Sequence, residues 1–279
     1  MQRNRATGRT FRAVRMAGSL FGLVLGSFDL GAGAAELEPA PPDLDAREIA
    51  TRAEDTLRAD RTKMDVTMTV ESPRLTRPRQ IRFRSFEDRP GKRSFIRIKS
   101  PAKDAGTGFL KLHPNLWMYV PRVERTLRIP PSMMLQPWMG SDFNNDDLVN
   151  ESSDIDDYDH RLLGIDPDSQ GTGRRAYVVE YTPHADTAVV WGRIVGWIDV
   201  ETGAPLRQEF FDEAGARLRI MTFGDFREQG ERLVPYRWEM VPLDKEGHRT
   251  SIQVHEFEFD PPIEDDVFTT RNLKKWDPS

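Results

Sequence analysis

Apolar and polar residues alternate with a period of two along most of the chain beyond residue 60. Val66, Met68 and Val70, for example, alternate with Thr67 and Thr69, as in a strand with one face toward water. The twelve predicted strands are 63–71, 79–87, 93–99, 107–113, 116–129, 158–165, 175–182, 192–200, 206–212, 217–226, 232–241 and 249–259. Because short turns separate them and no helices alternate with them, the sequence predicts an antiparallel meander in one large, strongly bent sheet.

Helical periodicity is confined to the two ends of this pattern. Ile49, Ala53 and Leu57 fall at i, i+4 and i+8, and a preceding aspartate can cap the helix that they predict. After two consecutive prolines, residues 265–268 predict a short terminal helix. The predicted fold class is therefore mainly β with few helices.

The last predicted strand contains a phase error. Ile252 and Val254 share one face, whereas Phe257 and Phe259 have the opposite parity. A β-bulge near residues 254–256 would restore a single apolar face and would add curvature to the sheet. The alternative is that both faces of this strand are covered.

Residues 1–34 have the three parts of a secretory signal. Five arginines precede an uncharged run that ends at Phe28, and small residues follow at 31–35. The uncharged run is shorter than the roughly 20 residues that a membrane span needs. We expect a signal peptide cleaved near Ala34 or Ala35 and a periplasmic protein; a retained N-terminal anchor is the alternative.

Behind this leader we expect a flexible tether at residues 35–43 and a single domain at residues 44–279. The chain has 40 basic and 45 acidic residues, of which five arginines and one aspartate belong to the leader, so the rest carries 35 against 44, a net charge of −9. Such acidity argues against nucleic acid as a partner. The absence of cysteine excludes disulfides, thiolate metal sites and a cysteine nucleophile.

Residues 130–140 break the strand pattern. Three prolines exclude this segment from a central strand, yet three methionines, a leucine and a tryptophan make it too apolar for an ordinary loop. One interpretation is a lid over an apolar cavity, in which Met133, Met134, Trp138 and Met139 contact the ligand or gate its entry, because methionine adapts to irregular apolar partners. The other is a loop that plugs the end of the sheet permanently.

An acidic run follows, with eight acids and no base between residues 142 and 159. Asp142, Asn144 and Asp146 match the first three ligand positions of a calcium loop, but the sixth and twelfth positions lack the required glycine and glutamate. We therefore expect these acids to cap a short helix and to lie at the solvated outer edge. No metal site is predicted.

Arg125 is the least expected charge in the strand pattern. It shares parity with Val123 and Leu127, which would place its guanidinium on the apolar face, where it needs a carboxylate partner. Asp142 is the candidate partner, and this pair would couple the lid to the sheet. Alternatively, local twist turns Arg125 outward.

A family resemblance rests on two short motifs, Trp-x-Tyr-x-Pro and Met-Gly-Ser-Asp-Phe, and on residues near them. The residues that carry it are Thr107-Gly108, Trp117-Met118-Tyr119-Val120-Pro121-Arg122, Arg125, Arg128-Ile129, Met139-Gly140-Ser141-Asp142-Phe143 and Asp147-Leu148. Over about residues 60–260 the chain thereby resembles the outer membrane lipoprotein-sorting protein-like family, relatives of the periplasmic lipoprotein carrier with a LolA-like fold. The resemblance implies an unclosed antiparallel half-barrel, with a helical or loop lid over an apolar cavity for acyl chains. The alternation pattern predicts 11 or 12 strands for it. It also implies an RND-type inner-membrane transporter as partner.

No catalytic motif is present: the sequence has no Gly-x-Ser-x-Gly, no phosphate-binding loop and no His-Glu-x-x-His. We therefore predict a non-catalytic periplasmic carrier that binds a lipid or a lipidated protein without a cofactor. The predicted ligand-binding residues are Trp117, Tyr119, Val123, Leu127, Met133, Met134, Trp138, Met139 and Trp197. The alternatives are an adaptor of an RND-type transporter with no free ligand cavity and, less favoured, a hydrolase.

Overall fold

The computed structural model describes residues 36–149, 155–185 and 191–275, so the predicted signal peptide lies outside the described residues. Within these ranges the chain forms thirteen strands and three α-helices. The strands are β1 (Arg61–Glu71), β2 (Arg79–Asp88), β3 (Arg93–Ser100), β4 (Gly108–Leu112), β5 (Asn115–Val120), β6 (Arg125–Ile129), β7 (Tyr158–Asp166), β8 (Ala176–Pro183), β9 (Arg193–Asp199), β10 (Pro205–Phe211), β11 (Arg217–Gln229), β12 (Arg232–Pro242) and β13 (Arg249–Phe259). The helices are α1 (Ala46–Leu57), α2 (Asn145–Val149) and α3 (Thr270–Lys274).

All thirteen strands belong to one sheet in the order β6-β5-β4-β3-β2-β1-β13-β12-β11-β10-β9-β8-β7. Every neighbouring pair is antiparallel, and the first and last strands of the chain lie side by side at its centre. The ends of the order, β6 and β7, are its two edges, and in the described ranges no pairing joins them. The predicted antiparallel, mainly β and unclosed half-barrel is confirmed.

One predicted strand, 116–129, is two strands. The chain turns through a short 3-10 segment, Pro121–Val123, and Glu124 adopts a left-handed conformation with φ of 49°. β6 then returns alongside β5, with Val120 opposite Arg125. The turn raises the number of strands to thirteen. Because Val123 lies in the turn, the alternation of faces does not continue from β5 through Val123 into β6.

The predicted bulge in β13 is confirmed. Asp65 of β1 pairs with Glu256 and Val66 pairs with Val254, so His255 is the extra residue. Both Val254 and Phe257 are consequently buried in the same core cluster. The bulge thus resolves the phase error in favour of a single apolar face.

Helix α1 begins where the sequence predicts. Asp45 is its N-cap and accepts a hydrogen bond from the backbone N–H of Arg47 at 2.8 Å. Ile49, Ala50 and Ala53 of this helix are buried in the largest core cluster. None of the helices in the described ranges is long and apolar enough to cross a membrane.

The two faces of the sheet are covered differently. The concave face carries the largest core cluster, which includes Met68, Ile81, Ile98 and Ile252. The convex face carries two smaller clusters. The first consists of Phe95 and Leu110 of the sheet with Ile263, Phe268 and Leu273 of the C-terminal segment; the second consists of Val178, Val195 and Phe211, with Leu37, Leu163 and Trp197 against them.

Arg97 fixes the C-terminal segment to the convex face. Its guanidinium donates to the backbone carbonyls of Gly106 at 2.7 Å, Asn272 at 2.6 Å and Leu273 at 3.1 Å. Burial lowers the pKa of Arg97 to about 10. The side chain is therefore still protonated at neutral pH and remains a donor to the last turn of α3.

The expected flexible tether, 35–43, is attached to the sheet at Glu38. Its N–H donates to the carbonyl of Ile165 at 2.8 Å and its carbonyl accepts from Ile165 N–H at 2.9 Å. Gly164 permits this approach, because a Cβ there would lie 2.8 Å from the Glu38 carbonyl oxygen. This bridge places Glu38 beside the edge strand β7, and the flexibility of the remaining tether residues stays a prediction.

Candidate functional site

A cavity of about 220 Å³ lies between α1, α2 and the concave face of the sheet. An engineered apolar cavity of about 150 Å³ in another protein binds benzene. The cavity described here is therefore large enough for an apolar group of the size of benzene. The apolar residues that the sheet contributes to its wall are Met64, Val66, Phe83, Ile96, Phe210, Met221, Phe223, Trp238 and Ile252. Trp191, Tyr158 and Tyr181 add aromatic surface near β7–β9.

Helix α1 forms the opposite wall with Ala50, Ala53 and Leu57. Alanine has no side chain beyond Cβ, so a helix that presents alanines lies close to the sheet without filling the space below it. The helix is amphipathic, with Ile49 and Ala50 buried and Glu48 exposed. The cavity therefore exists because this element covers the sheet with small residues.

Part of the cavity wall is charged. Arg58, just after α1, donates to Glu54 at 2.7 Å and also pairs with Glu87 of β2. Its backbone carbonyl accepts from Arg232 at 3.1 Å. Glu54, Arg58 and Glu87 all belong to the cavity wall. These half-buried paired charges form a polar part of a mostly apolar wall.

Helix α2 forms another part of the cavity wall with Asp146, Asp147 and Leu148. Asn144 and Asp147 cap this helix reciprocally: the N–H of Asn144 donates to the Asp147 carboxylate and the N–H of Asp147 donates to the Asn144 side chain, both at 2.7 Å. Capping by the acidic run is thus confirmed. Asp147, however, does not lie at a solvated edge. Its carboxylate accepts two hydrogen bonds from Arg219 of β11, at 2.7 and 2.6 Å.

Arg219 is almost fully buried, with 5% of its surface exposed. Its guanidinium carbon lies 4.1 Å from the ring centre of Trp191 and 4.4 Å from that of Phe210, both cavity residues. A bidentate pair with Asp147 and stacking on two rings are the interactions that best satisfy a buried arginine. This pair fastens α2 to the sheet beside the cavity.

The segment before α2 is folded onto the concave face. Trp138 is fully buried, with its ring centre 5.1 Å from that of Phe83 and 5.4 Å from that of Phe109. Arg79 of β2 donates to the carbonyl of Met139. Trp138 therefore fills core space beside the cavity rather than lining the cavity itself.

Three predicted ligand-binding residues lie on the other side of the sheet. Trp117 and Tyr119 pack against the C-terminal cluster, and Trp197 packs against the cluster of Val178 and Val195. The prediction that these three residues lie on the concave face is wrong. Alternation assigns residues to two faces of a sheet but does not say which face is concave.

The predicted coupling of Arg125 with Asp142 is replaced by other contacts. Arg125 is exposed in edge strand β6, so it is the outward interpretation that holds. The carboxylate of Asp142 instead accepts a hydrogen bond from the Thr250 hydroxyl at 2.7 Å and lies 3.6 Å from Nδ1 of His248. Asp142 thus ties its segment to β13.

The remaining predicted residues are at the surface or beside the core. Val123, Leu127 and Met133 are exposed, whereas Met134 and Met139 are half-buried against the main core cluster. None of the nine predicted ligand-binding residues lines the cavity described above. A gating role for the methionines remains a prediction.

The cavity residues that the prediction missed had a visible signal. Met64 and Val66 belong to the first alternating strand, and Ala53 and Leu57 to the one predicted helix stripe. What the sequence did not show is that this helix stripe and that strand line the same cavity. In the described part of the chain, no group of three or more His, Cys, Asp or Glu side chains is arranged to hold a metal ion.

Comparison with solved structures shows what this architecture is similar to. A putative outer membrane lipoprotein-sorting protein domain from Vibrio parahaemolyticus superimposes with a TM-score of 0.70 at 24% identity, covering 82% of this chain and 98% of that one. A DUF1329 family protein from Desulfovibrio piger gives 0.73 at 22% identity, covering 82% and 97%. A LolA superfamily protein from Nitrosomonas europaea gives 0.69 at 20%, covering 82% and 99%. At these identities the likeness establishes the fold.

Sequence comparison places the chain in a family. The model of a family described as "Uncharacterized protein"-like matches residues 91–275, which is more than half of the chain. The chain belongs to this family, and its structural neighbours are outer membrane lipoprotein-sorting, LolA superfamily and DUF1329 proteins. No curated protein matches the chain significantly.

Proposed function

We propose that the protein is a non-catalytic periplasmic carrier that shields the acyl chains of a lipid or a lipidated protein. The observation that carries this proposal is the apolar cavity between α1 and the concave face of the sheet. Burial of an acyl chain contributes about 0.8 kcal/mol per CH2 group, so an apolar wall of this kind binds such a ligand without any reaction.

The arrangement of charges supports the same function. Glu54, Arg58 and Glu87 form a charged part of the cavity wall, so a polar headgroup has charged partners there while the chain lies against Met64 and Trp238. Ligands with a polar end and an apolar chain fit such a site better than wholly apolar ones do.

Two further observations support the location and the ligand class. Residues 1–34 have the composition of a secretory signal, and one structural neighbour is described as an outer membrane lipoprotein-sorting protein domain. A lipidated protein is therefore the first ligand to test. An RND-type inner-membrane transporter as the source or acceptor of the cargo rests on the sequence resemblance alone.

The proposal is tested by purifying the full-length protein from its native envelope in the absence of detergent. We expect mass spectrometry of an organic extract to detect acyl lipid in stoichiometric amount, or intact-protein analysis to detect a bound lipoprotein. A protein that emerges empty, and that does not take up a fluorescent acyl lipid afterwards, would contradict the carrier function.

A pair of neighbouring substitutions makes the test specific to the cavity. Met221 lies in the cavity wall, whereas the next residue, Thr222, has the opposite strand parity. Met221→Trp should fill the cavity and abolish lipid uptake, while Thr222→Trp should leave uptake unchanged. Equal lipid uptake by the two folded variants would show that the ligand binds elsewhere.

A further inference from the structure

The two edges of the sheet differ in how they end. At β7, Glu38 adds a short antiparallel bridge to Ile165, so the chain covers part of this edge itself. At β6, in the described residues, only β5 pairs with the strand, and its other side is open. An open edge presents unpaired backbone N–H and C=O groups to any extended chain.

β6 is also unusually exposed. Arg125, Thr126, Leu127 and Arg128 are all exposed. An added strand would therefore meet no obstruction from these four side chains.

The charges along this edge are unpaired. The side chains of Arg122, Arg125 and Arg128 make no hydrogen bond or ion pair with any residue in the described ranges. Most other strand arginines differ: Arg82 and Arg84, for example, both pair with Asp65. Within a chain that is acidic as a whole, β6 and the preceding turn carry three arginines and one acid, Glu124, so this stretch has a net positive charge.

Exposed apolar residues are concentrated in the same stretch of the chain. Six large hydrophobic residues are exposed in the described residues, and four of them lie between positions 123 and 135. Their exposed fractions are 59% for Val123, 47% for Leu127, 45% for Met133 and 57% for Leu135. Arginine beside exposed aliphatic and methionine side chains is typical of protein interfaces.

We propose that β6 is a docking strand that binds an extended acidic segment of a partner protein as a fourteenth strand. Backbone hydrogen bonds along the open edge provide the binding, and the three guanidinium groups select for acidic side chains. This inference does not depend on the cavity or on its ligand, since none of these residues lines the cavity.

The register of β6 defines the segment that fits. Arg125 and Leu127 lie on one face of the strand and Arg128 lies on the other. An antiparallel segment places successive residues opposite Arg128, Leu127, Thr126 and Arg125. Favourable cross-strand pairs then require the sequence acidic–apolar–any–acidic.

An alternative role for these arginines is protection of the edge from self-association, since charge on an edge strand discourages pairing. Protection alone does not account for Leu127, which is exposed at the centre of the strand. The two roles differ in outcome: a protected edge rejects every strand, whereas a docking edge accepts one of complementary charge.

The test uses a fluorescein-labelled peptide with the central sequence Asp-Leu-Thr-Glu and fluorescence anisotropy with the full-length protein. We expect saturable binding, and we expect the same peptide with N-methylated backbone amides to bind at least tenfold more weakly. Arg125→Glu combined with Arg128→Glu should weaken binding at least tenfold. A peptide with lysine in place of both acids should bind this double variant, which also shows that the variant is folded.

A matched control comes from two exposed arginines in a loop away from β6. Arg74→Glu combined with Arg77→Glu changes the net charge by the same amount but lies between β1 and β2, and should leave peptide binding unchanged. Equal weakening by both double variants would overturn the proposal, because it would show only a general charge effect. Failure of the acidic peptide to bind would also overturn it, as would binding of phosphatidylglycerol vesicles through Arg125 and Arg128 in its place.

Discussion

The concave and convex faces of this sheet are made of the same strands but are stabilised in different ways. On the concave side, α1 and residues 130–149 cover one continuous apolar core and leave a cavity within it. On the convex side, two small clusters lie apart, and charged networks cover other parts of the surface. The comparison shows that alternation gives each strand two faces, while the elements that lie across the sheet determine what each face does.

This difference in how the two faces are covered predicts that substitutions on the concave face lower the free energy of unfolding more than substitutions on the convex face do. A side chain on the concave face contacts both the sheet and its cover, so its loss leaves a cavity that the surrounding structure cannot fill. Convex ion pairs are partly open to water, which screens them and replaces lost partners.

The largest effect is expected at Trp138. Trp138→Ala removes a fully buried side chain that packs against Phe83 and Phe109, and should lower the free energy of unfolding by about 3–5 kcal/mol. Urea denaturation measures the change. Met133→Ala, in the same segment but exposed, should change stability by less than about 0.5 kcal/mol. If Trp138→Ala were equally mild, the segment would be a loosely held lid rather than part of the core.

The second effect concerns the pair that fastens α2. Asp147→Asn leaves the buried Arg219 guanidinium without its carboxylate and should cost about 3 kcal/mol of unfolding free energy. A double variant, Asp147→Asn with Arg219→Leu, keeps an acceptor for the N–H of Asn144 and should recover most of this loss, because no buried charge is then left unpaired. A double variant less stable than Asp147→Asn would show that the hydrogen bonds themselves, rather than charge burial, dominate this contact.

A smaller effect is expected where the convex face holds the C-terminal helix. Arg97→Met leaves the carbonyls of Gly106, Asn272 and Leu273 without their donor, and should cost about 1–3 kcal/mol. Hydrogen exchange should increase in α3 more than in α1. Arg271→Met, at an exposed position of α3, is the control and should leave exchange unchanged; faster exchange in both variants would point to helix propensity as the cause.

Much of the fold was predictable because local patterns determine it. The alternating strands, the Asp45-capped helix and the bulge near His255 follow from the order of residues along single elements. The division of 116–129 into two strands was not predicted, because its cause is a left-handed Glu124, a residue without a strong turn preference.

The site was less predictable because it is formed by contacts between distant segments. Arg219 and Asp147 are 72 residues apart, and nothing in the sequence near either of them indicates the other. Assignment of Trp117 and Trp197 to the cavity failed because the choice of face depends on where α1 and α3 lie. Aromatic residues were identified correctly as packing groups, but on the wrong side of the sheet.

The smallest effect is expected at Asp65, in the charged part of the convex face. Asp65 accepts hydrogen bonds from Arg82 at 2.9 Å and from Lys99 at 3.0 Å, with Arg84 at 3.3 Å. Burial by itself raises the pKa of this carboxyl, but the hydrogen bonds from Arg82 and Lys99 outweigh burial and lower the pKa below its ordinary value. Its ionised form therefore stabilises the fold.

Since the folded-state pKa of Asp65 is the lower one, its contribution is complete above the unfolded-state pKa and is lost as the pH falls through the folded-state pKa. Asp65→Asn should cost about 1 kcal/mol at pH 7, because the three cations are partly exposed and water screens them. The difference between wild type and variant should shrink as the pH falls below about 4. Asp244→Asn, in an exposed loop, should show no such dependence. A constant difference down to pH 2 would mean that packing of the carboxyl group, not its charge, stabilises this face.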